Sequence, residues 1–427
     1  MDAEQRVTTE VLRDIARDFG TPCYVYFWDA IRKQIERIRS AFGHRFAINY
    51  AVKSNPHLGL LRRMHEVVDA LDVSSAGEVS RGLEAGWDAA RLSFTGPGKT
   101  PAELRASVDA GVGEVVVESL DEAELLNRIA GQACRRQRIL VRITPHRVPR
   151  GFGLNMSGKP TQFGIDEEEI DPAVTVIQSL AHLELCGFHI FSGTQCLDAQ
   201  AIVENYQIFS ETFRRVCSTH GLRPRKLIFG SGLGIPYFDG DVPLDLAAVA
   251  EKTNRAVDEL RSAAAFADTA LVLETGRFLV GEAGVYLTGV IRKKRSRGID
   301  ICICDGGMNH HLAAAGHLGS VVHRNYRMFK VTAEAPDGPE QAYTIVGPLC
   351  TTIDTLGRQV KFPGLEAGDV IAIRSSGAYG ASASPIHFIS HDAPRELIVE
   401  TVHGKLRIED GSRFEHDNTT YATWRGR

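Results

Sequence analysis

Short apolar runs separated by stretches of helical periodicity fill most of residues 46–274. The runs at 46–52, 70–73, 92–94, 114–117, 139–143, 184–188, 226–229 and 270–274 read as short buried strands. Between most of them apolar residues recur at helical spacing, as with Leu58, Leu61, Met64 and Val68. Ser75-Ala76-Gly77-Glu78 has the spacing of a capping box at a helix start. Eight strands in βα alternation predict an α/β protein with a (β/α)8 barrel. An open doubly wound sheet fits the same alternation, because periodicity does not reveal closure. Lys53, Asp72, Arg142, His189, the glycines after Phe229 and Glu274 all fall at strand C-terminal ends, where a barrel gathers its reactive residues, and this favours the barrel.

A strand at 21–27 and a helix at 28–41 precede this pattern. Past residue 278 the chain changes to β-rich runs punctuated by turns, at 284–291, 299–304, 343–346, 370–374 and 397–402. They predict a second, mostly antiparallel β domain. The expected organisation is an N-terminal strand joining the β domain (1–28), the barrel (29–277) and the β domain itself (278–427). Residues 306–327 fit no strand pattern and are expected to form a loop or short helix over the site.

Composition narrows the classes. In 427 residues, 43% apolar and 24% charged content is ordinary for a globular protein, and a net charge of −4 gives no reason to expect nucleic acid. No apolar run approaches membrane-spanning length and the N-terminus lacks an apolar signal core, so a cytoplasmic protein is expected. The eight cysteines (Cys23, Cys134, Cys186, Cys196, Cys217, Cys302, Cys304 and Cys350) form no metal or disulfide framework, and no metal is expected.

The chemistry centres on Tyr50-Ala51-Val52-Lys53-Ser54-Asn55-Pro56. A lysine ending a buried strand points into a site, and partial desolvation makes its amine a usable nucleophile toward a carbonyl. The alternative is a lysine reaching out to solvent. Gly230-Ser231-Gly232-Leu233-Gly234 follows a strand, where closely spaced N–H groups can converge on an anion, although such runs are often only turns. Glu274-Thr275-Gly276-Arg277 and Gly377-Ala378-Tyr379-Gly380 offer further phosphate donors. A strand-end lysine, a phosphate cradle and a strand-end carboxylate together suggest pyridoxal phosphate, with Lys53 bonding it and Glu274 holding the pyridine nitrogen protonated. An ion pair of Glu274 with Arg277 is the simpler alternative.

The runs YAVKSNP, ALDVSSAGEV, FGSGLGIPY, ETGR, GPLC and GAYG together resemble fold-type III pyridoxal-phosphate decarboxylases, the group of diaminopimelate and ornithine decarboxylases. That resemblance implies a barrel with an alanine racemase-like β domain, and a homodimer with shared active sites. It makes Lys53 the cofactor lysine and Glu274 the pyridine partner, with Gly276 and Tyr379 on the phosphate. Cys350 takes the place of an acid thiol arriving from the other subunit, although by itself it reads as an ordinary buried thiol. Asp354 falls on the aspartate that follows that cysteine in the family.

Three departures refine the picture. Thr351 stands where diaminopimelate decarboxylases place a glutamate for the distal ammonium. Asp305-Gly306-Gly307 is followed by Met308-Asn309-His310-His311 rather than by a segment with an arginine for the distal carboxylate. Phe191 replaces a histidine that stacks on the cofactor ring, and its aromatic face can still cover that ring. His189, two residues earlier, reads equally as a satisfied strand-end histidine or a catalytic one. GFHIFSGTQ, GMNHHLAAAG, HRNYRM, GPLCTTIDTLG and GAYGASASPIHF are similar to a narrower subgroup, the decarboxylases of butirosin and macrolactam biosynthesis and of exosortase-associated clusters. This likeness implies an amino acid tethered to an acyl carrier protein, and places Thr351, Asp354, His310 and His311 at its binding site. The dense basic run Arg292-Lys293-Lys294-Arg295-Ser296-Arg297 would dock an acidic carrier, or is a solvated turn. The alternatives are a decarboxylase of free meso-diaminopimelate, a racemase on the same fold, and a catalytically inactive binding protein.

Overall fold

The structure, a computed structural model, describes residues 3–318, 324–331 and 339–411, with side chains from Thr9 onward. Helix α1 (Ala3–Phe19) leads into strand β1 (Cys23–Phe27) and helix α2 (Trp28–Phe42). The chain then forms two compact units. One comprises residues 32–235 and 242–279; the other takes the chain up to Ile31, Pro236–Asp241 and everything from Val280 on.

The first unit is a closed barrel. Its strands are β2 (Ala47–Ala51), β3 (Ala70–Val73), β4 (Leu92–Phe94), β5 (Glu114–Val117), β6 (Gln137–Thr144), β7 (Leu183–Ile190), β8 (Lys226–Gly230) and β9 (Ala270–Thr275). Neighbouring strands pair in parallel in sequence order, and β9 pairs with β2 through Glu274 opposite Asn49. Closure, which the pattern alone left open against a doubly wound sheet, is thereby established.

Ala47, Val116, Leu140, Cys186, Ile228 and Val272 fill one interior layer with apolar side chains. On the outer face Phe229 packs edge-on against Phe46 and Phe213. The helix after β3 (Ala76–Glu84) is capped by Ser75 Oγ, which accepts the Glu78 N–H at 3.1 Å. The Glu78 carboxylate returns one residue further back than a capping box expects, to the Ser74 N–H at 2.7 Å.

The second unit is built on β10 (Gly284–Ser296), β11 (Ile299–Cys304), β12 (Met328–Lys330), β13 (Gln341–Val346), β14 (Thr355–Phe362), β15 (Val370–Ile373), β16 (Arg395–Val402) and β17 (Lys405–Asp410). Most pairs are antiparallel, but β1 runs parallel to β16 and β11 parallel to β13. Leu12 and Ile15 of α1 join Cys23, Val25, Val285, Leu287, Leu397 and Val399 in its core. Cys302 and Cys304 are fully buried within it. The segment after Asp305 is a series of turns through Gly316, with no α-helix among the described residues. Its Tyr24 neighbour donates from the hydroxyl to the His310 carbonyl at 2.7 Å, anchoring the turns to β1.

Candidate active site

Alternation along the barrel strands places a charged layer directly above the apolar one. Residues two further along point the same way, so Leu140 is followed inward by Arg142 and Val272 by Glu274. His189 enters this layer through a bulge. Strand β7 gains one residue against β6 between the pairs Ile139–Leu185 and Leu140–Gly187, which brings His189 opposite Arg142. Gly187 makes the bulge possible, since a Cβ there would lie 1.8 Å from the Lys226 carbonyl oxygen. Without the extra residue the imidazole would face outward.

Four groups meet in this layer. Lys53 Nζ lies 3.1 Å from Asp72 Oδ2 and 3.8 Å from Glu274 Oε1, while His189 Nε2 donates to Glu274 Oε2 at 2.9 Å. The Lys53 side chain is 39% exposed against 1–2% for Asp72 and Glu274, so only the lysine is open to an arriving molecule. Burial, and then the Glu274 charge, raise the Asp72 carboxyl to about 6 despite Lys53. Burial would raise Glu274 as well, but the charge and hydrogen bond of His189, with help from Lys53 and Arg142, hold it at about 2. Glu274 is thus a fixed anion, and it is paired to His189 rather than to Arg277.

The walls are equally specific. The Lys53 ammonium sits 5.8 Å from the Phe191 ring centroid. A Cβ on Gly230 would lie 2.3 Å from that ring, so the phenyl rests on glycine backbone. In the glycine run, Ser231 N–H donates to the Glu274 carbonyl at 2.9 Å, tying the loop to β9. Gly276 lies against Ser54, whose Oγ would be 2.7 Å from a Cβ there. Asp72 Oδ1, His189 Nδ1, Ser192 Oγ and Thr275 Oγ1 are buried with no hydrogen-bond partner among the described residues. Buried polar atoms are normally satisfied. A lysine amine, a fixed anion, an aromatic face, a glycine loop and four unspent polar atoms fit pyridoxal phosphate.

Arg142 does not share this lysine's immediate neighbourhood of contacts. It donates to Glu118 at 3.0 and 3.2 Å and stacks on Phe163 at 4.6 Å. Glu118 also accepts the N–H groups of Gly96 and Gly164, which links three strand-end loops. Glu118 was not singled out from the sequence, although it directly follows β5, much as Asp72 lies next to the end of β3.

In the β unit, Cys350 is exposed on the surface of its own chain, contrary to the reading of an ordinary buried thiol. Asp354 is buried, and its oxygens accept the N–H groups of Met308 at 2.7 Å and Leu349 at 2.8 Å. It therefore staples two loops together, with one N–H on each oxygen. His310 and His311 are spent in the same way. His310 meets the Tyr286 hydroxyl and the Asp392 carbonyl; His311 meets Ser376 Oγ and the Ala314 N–H. Burial pushes them down to about 4 and about 3, so both imidazoles are neutral. Thr351 is half-buried beside Cys350, and Tyr379 holds a left-handed backbone, φ 54°, a conformation that is strained for a tyrosine.

A family model described as the pyridoxal-dependent decarboxylase, pyridoxal binding domain, matches residues 28–281. An L-glutamyl-[BtrI acyl-carrier protein] decarboxylase of Niallia circulans is 32% identical over 90% of each chain. A diaminopimelate decarboxylase of Aquifex aeolicus is 30% identical, over 95% of this chain and 93% of its own. The solved diaminopimelate decarboxylase of Helicobacter pylori, complexed with L-lysine, superposes with a TM-score of 0.84 at 26% identity, over 97% of this chain and all of its own. The chain belongs to the pyridoxal-dependent decarboxylases, carbon–carbon lyases that work with pyridoxal phosphate.

Proposed function

We propose that this enzyme removes the α-carboxylate of an amino acid held as a thioester on an acyl carrier protein, of glutamyl, aspartyl or methylaspartyl type, in a secondary-metabolite pathway. The observation that carries the reading is the missing charge for a distal group. Thr351 stands where the resemblance to diaminopimelate decarboxylases implies a carboxylate, and residues 308–315 hold no arginine. Burying an unpaired ammonium or carboxylate costs several kcal/mol, and each ~1.4 kcal/mol is a tenfold loss. A thioester end is neutral and escapes that cost. The similarity to a decarboxylase whose name specifies a carrier-bound substrate supports the same reading.

Lys53 would bond the cofactor, Phe191 would cover its ring, and Glu274 would serve its ring nitrogen. The loop Gly230–Gly234, with Gly276 and Arg277, would take its phosphate. Bound pyridoxal phosphate supplies the sink for the electron pair left when carbon dioxide departs. Cys350, exposed on its own chain, serves the site of a second copy in a homodimer, where it returns a proton to Cα.

The basic run lies in the β10–β11 hairpin, with its turn at Arg297-Gly298. Lys293 pairs with Glu366, while Arg292, Lys294 and Arg295 stay exposed, and they dock the acidic carrier. The test compares kcat/KM for a glutamyl thioester on the carrier, on pantetheine alone, and for free glutamate. We expect a drop of about tenfold or more at each truncation, since remote contacts are used in the transition state. Changing Arg292, Lys294 and Arg295 together to Ser should raise KM for the carrier substrate and leave the pantetheine substrate unaffected. Equal efficiency on all three substrates would rule out carrier tethering.

A further inference from the structure

We propose that Asp72 is the proton acceptor for Lys53, taking the ammonium proton that must leave before the amine can attack a carbonyl, and that His189 keeps Glu274 out of that role. The proposal rests on the reading of Lys53 as the cofactor lysine and goes one step beyond it.

Both carboxylates lie near Lys53 Nζ, but they are not equivalent. Asp72 Oδ2 is in hydrogen-bond contact at 3.1 Å, whereas Glu274 Oε1 stands off at 3.8 Å. Glu274 is also committed elsewhere, its Oε2 accepting from His189 Nε2 at 2.9 Å. Asp72 Oδ1 meets no partner within bonding distance among the described residues, and the Thr95 hydroxyl acts on the carboxyl only as a neutral donor, so Oδ1 is not committed to a charged group as Glu274 Oε2 is. The bulge at Gly187 that turns His189 inward is what separates the two roles.

The charged groups facing Asp72 are Lys53, Glu274, His189 and Glu78; Arg142 acts in addition on Glu274. Burial, and then the Glu274 charge, leave Asp72 near 6, while His189, Lys53 and Arg142 outweigh burial at Glu274 and leave it near 2. A carboxyl near 6 can take up and return a proton around neutrality, and one near 2 cannot.

The step balances. The Lys53 ammonium gives one proton to the Asp72 carboxylate, and the freed electron pair bonds to the cofactor's carbonyl carbon. The two remaining amine protons leave with the carbonyl oxygen as water. Asp72 then returns its proton to the nitrogen of the new carbon–nitrogen double bond.

The experiment mixes the cofactor-free full-length protein with pyridoxal 5′-phosphate. It follows capture by the rise of visible absorbance across pH, then traps the product with borohydride and maps the labelled peptide. In the wild type, capture should rise through an acid limb near the Asp72 value and then level. Asp72→Asn should slow capture about a hundredfold at neutral pH and keep climbing into alkali, because bulk solvent must remove the proton. Glu274→Gln should move the acid limb to lower pH, since the charge that raises Asp72 is gone. Burial already disfavours the Asp72 charge, so a neutral Asn suits the fold. Asp72→Ala, tested with and without formate, gives a second variant, in which formate should restore capture. A wild-type profile in Asp72→Asn, or an alkaline shift in Glu274→Gln instead, overturns the proposal with Lys53 still labelled. A label on a different lysine in the wild type overturns the reading of Lys53 itself.

Discussion

Lys53→Ala and Cys350→Ala proteins should each lose at least about a thousandfold in activity, and a mixture of the two should recover it. Each change removes a chemical group that no neighbour replaces. Lys53 belongs to the barrel unit and Cys350 to the β unit. If each active site takes its lysine from one copy and its thiol from the other, a mixed dimer rebuilds one complete site from the two intact halves. Random exchange in a two-fold dimer makes about half the dimers mixed, each with one working site, so recovery should approach roughly a quarter of the wild-type rate. Inactive mixtures after subunit exchange has been demonstrated would mean that Cys350 acts within its own chain or not at all.

Glu274→Gln should cost about 10²–10³ in kcat and weaken cofactor retention, while the carrier-substrate KM changes little. Gln keeps an oxygen for His189 but loses the charge that would serve the cofactor's ring nitrogen. The pH behaviour of the cofactor-free fold follows from the same pair of carboxylates. Glu274 is held below its ordinary value of 4.5, so it stabilises the fold above that value and loses this contribution as pH falls toward about 2. Asp72 is raised above its ordinary 3.8, so the fold is favoured while the group is protonated, and this contribution is lost as pH rises through about 6. Melting the Glu274→Gln and Asp72→Asn proteins across pH separates the two. The first should flatten the acid side of the stability curve, and the second the rise in instability near 6.

Most of this site was legible in the sequence because barrel strands are short and buried, so a charged residue at a strand end stands out against an apolar run. Lys53, Asp72 and Glu274 were found that way, and Phe191 through the resemblance. Glu118 carried the same signal and was passed over. His189 remained ambiguous because its direction depends on a one-residue bulge, and periodicity assumes unbroken alternation. Asp354, His310 and His311 were assigned to the substrate by the resemblance alone, and nothing in their spacing shows that their polar atoms meet loop N–H groups, hydroxyls and carbonyls. Strand β14 was missed because its Arg358, Gln359 and Lys361 are polar residues on the outermost strand of its sheet path, and β17, which ends the other side, was missed for a similar reason. Helix α1 went unread in a charged N-terminus, where only one apolar face packs on the core.

Carrier dependence is tested most directly by competition in one vessel. The holoenzyme is given equal amounts of glutamyl-carrier thioester and meso-diaminopimelate, each labelled with a different carbon isotope in the carboxylate to be lost, and the released carbon dioxide is analysed by mass. The labelled carbon from the carrier thioester should exceed that from diaminopimelate by about a hundredfold or more. Carbon dioxide drawn equally or mainly from diaminopimelate would contradict the account and leave Thr351 as a tolerated change in an enzyme for the free amino acid.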